Sequence, residues 1–409
     1  MNSNSVVARV VSVCAFLFCA IANAATELPP PTGPYAVGSI LMYAKDDDRA
    51  EEWTDDPKDR REIPLFVYYP ADADTRASLA EYLPYPPDKI RGRLAVERGR
   101  GRVLTTHTYA DVPLTKGSER FPVLLFSGGA GASPASYHAI IEDLVSHGYI
   151  VVGMDHTYEG GGQILGDGRL VEPTIENFRP EGDPQTEEFA KASRAFYYRR
   201  VGVRAADAAT VIRLLKMMDS AKRGKFSNRL DLDRIGVFGH SLGGVAAAHA
   251  LMDVPQIKAG VNLDGHALGM PFDEKHTATK PFLCVEAPSQ PPSDENLAKW
   301  SITREQYDAD MKAMDERQAA AYRTNPTISY RVTINGAEHG SFSDETYPMP
   351  EKDGMTLALR EKYTKATRCY LLAFFDSTLR GKDVSAMAEI PSELAEIVQI
   401  EKFGGLADR

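Results

Sequence analysis

The sequence is short of several features that mark whole classes of protein. Only four cysteines and two tryptophans occur among 409 residues, and 47 basic side chains are outnumbered by 57 acidic ones. The resulting net charge of −10 gives no basic footprint for nucleic acid. A hydrophobic fraction of 43% with 25% charged residues is typical of a soluble globular protein. It argues against a disordered chain, a collagen-like fibre and a multi-span membrane protein.

The amino terminus has the pattern of an export signal. Arg9 precedes an apolar run from Val10 to Ala22, and the small residues Ala22 and Ala24 offer a cleavage site. The run is too short for an ordinary membrane-spanning helix. We therefore expect a signal peptide over residues 1–24 and export, either to the periplasm or out of the cell. An uncleaved anchor is the alternative.

Cysteine is scarcer still in the exported part of the chain. Cys14 and Cys19 leave with the signal, and Cys284 and Cys369 remain. An oxidising compartment permits a disulfide between the last two, but both stand in apolar stretches, as buried thiols do. The sequence leaves both alternatives open. No spacing of cysteine and histidine resembles a zinc site, and we expect neither a metal nor an organic cofactor.

The chain after the signal divides into an extension and one large domain. Residues 25–62 are rich in proline and charge, and their acidic clusters lack the spacing and central glycine of an EF-hand, which favours a solvated extension. No repeat or low-complexity linker divides residues 63–409. We predict one domain there, with a lid-like insertion at about 158–195 that is rich in Gly, Pro and Glu.

Apolar runs and helical patterns alternate along this domain. Strands are predicted at 63–70, 121–127, 149–154, 234–238, 257–263, 281–286 and 328–334, and helices at 137–147, 196–218, 242–252 and 355–379. Such alternation indicates an α/β fold with a mostly parallel central sheet and helices on both faces. The connections between parallel strands are expected to be right-handed crossovers.

One motif in the chain carries chemistry. Gly239-His-Ser-Leu-Gly243 fits the pattern G-x-S-x-G, with a predicted strand before it and an alanine-rich helix after it. This is the context of the nucleophile elbow in the α/β-hydrolase fold. The glycines leave room for the sharp turn, and the helix start directs N–H groups at the reaction centre. We predict that Ser241 is a nucleophile, against the alternative of a structural Gly-Ser turn, and interpret His240 as a packing or orienting residue.

A serine hydroxyl needs a base, and in this fold the acid and then the histidine follow the serine along the chain. His339 is the preferred base because it stands in a glycine-bounded loop just after a predicted strand. His266 would share a strand end with a candidate acid, and His276 lies in a charged segment. Asp264 and Glu286 each end a predicted strand. Both remain candidates for the acid that orients the histidine.

Two backbone N–H groups are expected to hold the oxyanion of a tetrahedral intermediate. One belongs to Leu242, directly after the serine. The other is assigned to Ala130 in the turn Gly128-Gly-Ala-Gly131, with Gly129 as the neighbouring candidate. The turn lacks the Gly-Lys-Ser/Thr ending of a phosphate loop, so nucleotide binding is not expected.

Four short blocks resemble the platelet-activating factor acetylhydrolase family, in its plasma and intracellular type II branch. The blocks are FSGGAGASPASYHAIIEDLVSHGYIVVGMDH, RIGVFGHSLGG, GVNLDG and GAEHGSFSD. The resemblance implies an α/β-hydrolase in which Ser241, Asp264 and His339 form the catalytic set, and it favours Asp264 over Glu286 as the acid. Ala130 stands where that family has Leu, and the preceding Gly128 where it has His, which leaves the substrate preference open.

The resemblance implies a serine hydrolase that cleaves short-acyl esters through an acyl-enzyme, and the export signal adds the expectation that it is secreted or periplasmic. Its expected partner is a small-molecule or lipid ester, with acetyl or oxidised sn-2 phospholipids included and transient contact with a lipid surface allowed. No nucleic acid is expected. The alternatives are a broad carboxylesterase or cutinase-like polyester hydrolase, an amidase or peptidase on the same scaffold, and a catalytically inactive binding protein.

Overall fold

The fold is organised around a ten-stranded sheet. The computed structural model describes residues 26–72, 77–82, 104–159, 162–172, 182, 186–265, 279–288, 291–300, 303–309, 311–312, 316, 325, 327–351 and 354–403. The strands are β1 (Ala36–Ala50), β2 (Arg60–Ala71), β3 (Thr108–Ala110), β4 (Phe121–Ser127), β5 (Ile150–Met154), β6 (Leu230–His240), β7 (Ile257–Leu263), β8 (Phe282–Glu286), β9 (Ser329–Ile334) and β10 (Val398–Phe403). The longer helices are α1 (His138–Ser146), α2 (Glu187–Ser220), α3 (Leu242–Asp253), α4 (Asp294–Trp300) and α5 (Leu357–Arg380).

The strand order brings distant parts of the chain to one edge of the sheet. It runs β10-β9-β8-β7-β6-β4-β5-β2-β1-β3. The six strands from β9 to β5 are mutually parallel, and β10 and β2 pair antiparallel at the two ends of this block. Because parallel strands end at the same edge, the loops after β4, β6, β7 and β9 meet there. This is the edge at which the predicted site residues lie.

Helices cover both faces of the sheet, as the alternating sequence predicts. On one face α1 and α5 pack against side chains such as Phe126, Phe238 and Val261. On the other face α2 and α3 pack against side chains such as Val123, Leu125 and Val237. All seven residues of β4 are buried, because neither face of this strand meets solvent.

Three elements differ from the sequence-based expectation. Ala36–Ala50 is a sheet strand, so the prediction of a solvated extension over this stretch was wrong; Asp46 is buried there because Thr210 and Arg213 of α2 bind its carboxylate. Val398–Phe403 forms β10, which was not predicted. Helix α2 begins at Glu187 rather than Phe196, with the Thr186 side chain accepting a hydrogen bond from Phe189 N.

The remaining sequence-based expectations divide into those inside and those outside the described residues. Cys284 is buried in β8 and Cys369 is half-buried in α5, and the two form no disulfide bond. None of the described helices combines the length and apolar character needed to cross a membrane. The predicted signal peptide at 1–24, His266 and His276 lie outside the described residues, and so do parts of the predicted insertion.

Candidate active site

The turn between β6 and α3 holds Ser241 in a strained backbone conformation. Its φ is 55° and its ψ is −126°, in a region that residues with a side chain rarely adopt. A methyl group at Gly239 would lie 2.2 Å from the carbonyl oxygen of Gly243, and one at Gly243 would lie 2.0 Å from that of Ser127. Neither position therefore accepts a side chain. The glycines of the motif permit the close approach of β4 and α3 that fixes the serine.

The Ser241 hydroxyl lies at the start of a chain of three side chains. Its Oγ is 2.9 Å from Nε2 of His339, and Nδ1 of His339 is 2.6 Å from Oδ2 of Asp264. The structure thus brings together the three residues that the sequence singled out. Ser241 is 8% exposed, whereas the His339 side chain is 57% exposed, so the chain of contacts opens to solvent at the histidine.

Asp264 is held in place by the end of the neighbouring strand. It follows β7 with a φ of 52°, its amide donates to the carbonyl oxygen of Val285, and its Oδ1 accepts from the amide of Ala287. Glu286, the other candidate acid, lies in β8 and pairs with Arg331 at 3.3 Å. The carboxylate at Nδ1 of His339 is therefore that of Asp264.

Several polar backbone groups of the glycine-rich turn after β4 have hydrogen-bond partners. Gly129 N donates to Tyr137 Oη at 3.0 Å, Gly131 N donates to the carbonyl oxygen of Glu159, and the carbonyl oxygen of Gly128 accepts from Arg204 Nη1 at 2.6 Å. In contrast, the amide of Ala130 has no hydrogen-bond partner among the described residues. The amide of Ala130, which the sequence analysis assigned to the oxyanion, is therefore uncommitted within the described residues.

The second predicted oxyanion donor is Leu242, the first residue of α3. Its amide has no acceptor in the part of the chain that the structure describes, as is normal in the first turn of a helix. A methyl group at Gly129 would lie 3.4 Å from Cβ of Ser241, so the glycine-rich turn packs directly against the elbow. Two uncommitted amides thus stand on the two segments that flank the serine hydroxyl.

His240 lies directly behind the three-residue chain. Its Nε2 is 2.9 Å from the carbonyl oxygen of His339, and its Nδ1 is 2.9 Å from Tyr137 Oη. Burial, together with the charge of the nearby His339, lowers the pKa of His240 to about 3. The ring is therefore neutral near pH 7 and makes one donated and one accepted hydrogen bond.

A buried ionic cluster contacts Ser127, the residue directly before the glycine-rich turn. His156 bridges Ser127 Oγ and Asp207 Oδ2, each at 2.8 Å, and Asp207 also binds Arg61 at 2.6 Å. Burial acts to raise the pKa of Asp207, but Arg61 and His156 outweigh it and hold the pKa well below its usual range. Ser127 is only 1% exposed, so this second Ser-His-Asp arrangement is closed to solvent.

A second ion pair in the same region ties the turn to α2. Arg204 donates to Glu159 at 2.7 Å as well as to Gly128, and Arg200 binds the same carboxylate at 3.1 Å. Within the described residues no group of three or more histidine, cysteine or acidic side chains could hold a metal ion. The charges near the site are thus engaged with one another and with the backbone of the turn.

Two family models match parts of this chain. Residues 20–164 match the family described as platelet-activating factor acetylhydrolase, isoform II, and residues 122–283 match the alpha/beta hydrolase fold. The ferulic acid esterase structure from Streptomyces cinnamoneus superimposes with a TM-score of 0.67 at 23% identity, covering 92% of this chain and 99% of that one. The chain has the α/β-hydrolase fold and is similar to platelet-activating factor acetylhydrolases. The predicted fold and the predicted resemblance are both confirmed.

Relatives of this α/β-hydrolase extend the similarity over most of the chain. A platelet-activating factor acetylhydrolase from Gallus gallus is 23% identical over 364 residues, which is 82% of this chain and 78% of the relative. A probable 1-alkyl-2-acetylglycerophosphocholine esterase from Arthroderma benhamiae is 24% identical over 432 residues, covering 95% of this chain and 98% of the relative. These relatives carry the names of enzymes that cleave esters.

Several groups around the site escaped the sequence analysis. Tyr137 gave no signal, and the burial of Arg204 and Asp207 on one face of helix α2 was not predicted. The place of His156 within the ionic cluster, where it is 4% exposed, was not predicted either. A charged residue that recurs on the apolar face of a helix is the one signal that could have pointed to such burial.

Proposed function

We propose that the protein is an exported serine hydrolase that cleaves short-acyl carboxylic esters. Ser241 is the nucleophile, His339 the general base and acid, and Asp264 the group that orients and stabilises the histidine. The observation that carries the proposal is the continuous chain from Ser241 Oγ through His339 to Asp264, with contacts of 2.9 and 2.6 Å. The similarity to acetylhydrolases along most of the chain supports an ester as the substrate.

In the acylation step, Ser241 Oγ attacks the acyl carbon while His339 Nε2 takes the hydroxyl proton. The negative charge passes to the former carbonyl oxygen, which accepts hydrogen bonds from the amides of Leu242 and Ala130. Asp264 stabilises the imidazolium through Nδ1–H. The intermediate collapses as the ester C–O bond breaks, and Nε2–H protonates the leaving alkoxide to give an alcohol.

In the deacylation step, water takes the place of the alcohol. His339 Nε2 removes a proton from the water as its oxygen attacks the acyl carbon of the acyl-enzyme. The same two amides hold the second oxyanion. The imidazolium then returns its proton to Ser241 Oγ as the bond between the acyl group and the serine breaks, so that the carboxylic acid leaves and the enzyme is restored.

The proposed substrate class is an ester with a short acyl group, including the sn-2 acetyl phospholipids. The names of the relatives support this choice, since they refer to acetylhydrolases and to a 1-alkyl-2-acetylglycerophosphocholine esterase. Export is proposed from the amino-terminal signal pattern alone. The matching test of export is the amino-terminal sequence of the protein recovered outside the cytoplasm, which should begin near Ala25.

The test of the proposed function uses p-nitrophenyl esters of two to twelve carbons beside a phospholipid with an sn-2 acetyl group. We expect activity to fall steeply beyond about four carbons, because each methylene that a closed pocket rejects costs up to a few kcal/mol. Ser241→Ala should abolish turnover and labelling by a fluorophosphonate. Ser343→Ala, in the loop after His339, is the matched control and should retain turnover.

Other outcomes would change the proposal in defined ways. Activity that stays level or rises with chain length, without phospholipid turnover, would favour a broad carboxylesterase or a polyester hydrolase. Faster cleavage of a matched p-nitroanilide would favour an amidase. Near-normal turnover by Ser241→Ala would contradict the assignment of the nucleophile, and a folded wild-type protein that no fluorophosphonate labels would favour a binding protein.

A further inference from the structure

A line of hydrogen bonds joins the glycine-rich turn to the loop of His339. It runs from Gly129 N to Tyr137 Oη at 3.0 Å, from Tyr137 Oη to His240 Nδ1 at 2.9 Å, and from His240 Nε2 to the carbonyl oxygen of His339 at 2.9 Å. We propose that Tyr137 and His240 are positioning residues that keep the oxyanion donor and the general base in a fixed position relative to each other. This inference rests on the proposed function and adds two residues to it.

The direction of each hydrogen bond in this line follows from the chemistry of its two ends. The Gly129 amide can only donate, so Tyr137 Oη accepts from it. The carbonyl oxygen of His339 can only accept, so Nε2 of His240 carries the proton. In a neutral ring Nδ1 is then an acceptor, and Tyr137 donates its hydroxyl proton to it. Every donor and acceptor in the line is thus used once.

Packing holds the line in this one arrangement. The His240 ring packs against that of His339 with centroids 4.6 Å apart and planes tilted by 38°, and it also lies against Phe342. Tyr137 is 1% exposed and His240 is 5% exposed, so neither has solvent as an alternative partner. A buried polar group that loses its partner costs more than an exposed one. Removal of either side chain therefore breaks the connection between the glycine-rich turn and the His339 loop.

Burial, together with the charge of His339, keeps the His240 ring neutral. A proton on the ring would place a positive charge beside His339, which itself becomes positive during acylation. Asp264 favours a charged ring, but burial and His339 outweigh it, and the pKa of His240 falls to about 3. The direction of the hydrogen bonds is therefore constant over the pH range in which an esterase is assayed.

The line also determines where the Ala130 amide points. Gly129 N is fixed by Tyr137, and the carbonyl oxygen of Gly129 accepts from the amide of Ala132 at 3.2 Å. The amide of Ala130 shares a peptide plane with that carbonyl and points the opposite way, because the peptide bond is trans. Because the amide and the carbonyl oxygen of Gly129 are both held by hydrogen bonds, the Ala130 amide is preorganised as the donor that the proposed mechanism uses.

The decisive experiment compares Tyr137→Phe, His240→Gln and the double variant with the wild type on p-nitrophenyl acetate. We expect each single variant to lose kcat by roughly tenfold to a hundredfold, less than the loss for removing an oxyanion donor itself. KM should stay within about twofold, because the line acts on the transition state. The double variant should lose little more than the worse single variant, since both residues belong to one line.

A matched control separates positioning from a loss of stability. Tyr149 is fully buried and donates its hydroxyl to Asp376 at 2.8 Å, on a part of the fold away from Ser241. Tyr149→Phe should lower the melting temperature without changing kcat. Should Tyr137→Phe fail to fold, His240→Gln supplies the same kcat and KM comparison, because it leaves the bond between Tyr137 and Gly129 intact.

The outcomes distinguish this inference from the proposed function. If the wild type is an esterase that depends on Ser241, but Tyr137→Phe and His240→Gln keep its kcat, the positioning role is wrong and the proposed function stands. Losses that multiply in the double variant would also contradict the single line. If the wild type has no ester turnover, or if Ser241→Ala retains it, the proposed function itself is wrong.

Discussion

Oδ2 of Asp264 lies 2.6 Å from Nδ1 of His339, although 75 positions separate the two residues in the chain. The other carboxylate oxygen accepts from the amide of Ala287 on the adjacent strand end. Each oxygen of the carboxylate thus has a hydrogen-bond partner, and Oδ2 is the one that accepts from the imidazole. This contact fixes the ring so that Nε2 faces Ser241.

The first prediction concerns this carboxylate. Asp264→Asn should lower kcat on p-nitrophenyl acetate by about three to four orders of magnitude, because an amide favours the wrong tautomer of His339 and does not stabilise the imidazolium. Glu286→Gln is the control, since Glu286 pairs with Arg331 and should leave kcat within a few fold. The reverse ranking would move the acid to the later strand.

The second prediction concerns the space at the elbow. Gly243→Ala should destabilise the fold by about 2–3 kcal/mol and abolish activity, because the new methyl group would meet the Ser127 carbonyl oxygen at 2.0 Å. Gly202→Ala is the control. It lies in α2 with open space around a new methyl group and should stabilise the fold by about 0.5–1 kcal/mol. Urea unfolding and turnover check both, and an active, stable Gly243→Ala would contradict the first.

The third prediction concerns the buried ionic cluster. Arg61→Met should cost about 3–5 kcal/mol, because it leaves the carboxylates of Asp207 and Glu51 buried without the guanidinium that both contact. Lys45→Gln, which removes an exposed pair with Asp47, should change the free energy of unfolding by less than about 1 kcal/mol. Equal losses in the two variants, measured by urea unfolding, would contradict the importance of burial.

The fourth prediction concerns Asp344, which accepts hydrogen bonds from the amide of Ala139 and from Tyr82 Oη. Burial, opposed by His138 and reinforced by Glu142, raises the pKa of Asp344 to about 6. Between the unfolded pKa of about 3.9 and pH 6 the folded state binds more protons, so this group makes stability fall as pH rises.

Asp344→Asn removes that titration and keeps an oxygen for Ala139. Relative to the wild type, the variant should gain about 1–3 kcal/mol at pH 8 and little at pH 4. Melting temperatures of both proteins at the two pH values check this difference, in which the other titrating groups cancel. A gain that is equal at both pH values would show that the carboxyl does not titrate in this range.

The central strands could be predicted because they are short apolar runs between polar turns. The stretches that became β4, β5, β7, β8 and β9 lie within about one residue of the predicted bounds. β10 was missed because polar residues interrupt its apolar ones, as in Val398-Gln-Ile-Glu-Lys-Phe403, so that no apolar run marks the strand. β1 was missed because its acidic end resembles a loop.

The candidate site was predicted from one motif and from chain order. The signal for the turn around Ser241 lies in neighbouring residues. The end of its strand, its glycines and the start of its helix occur within eleven consecutive residues from Arg234 to Gly244. The choice between Asp264 and Glu286 is not local, because it depends on which strand end lies beside His339. The structure brings Asp264 there, while the roles of the three residues stay predictions.

The buried charges could not be predicted in the same way. Arg61 and Asp207 are 146 positions apart, and neither segment indicates that the other residue is its partner. Burial becomes favourable only when the partner arrives, and no local pattern encodes that partner. The contact between Tyr137 and His240, 103 positions apart, could not be predicted for the same reason.

The position of β10 has a consequence for the order in which the protein matures during synthesis. β10 pairs with β9 along its whole length, and the Ile397 carbonyl accepts from the amide of Asn335, just before the His339 loop. A ribosome makes Ser241 and Asp264 long before it makes this strand. Nascent chains that stop before residue 398 should therefore resist fluorophosphonate labelling. Formation of the last sheet edge would then be the step that makes the proposed nucleophile reactive.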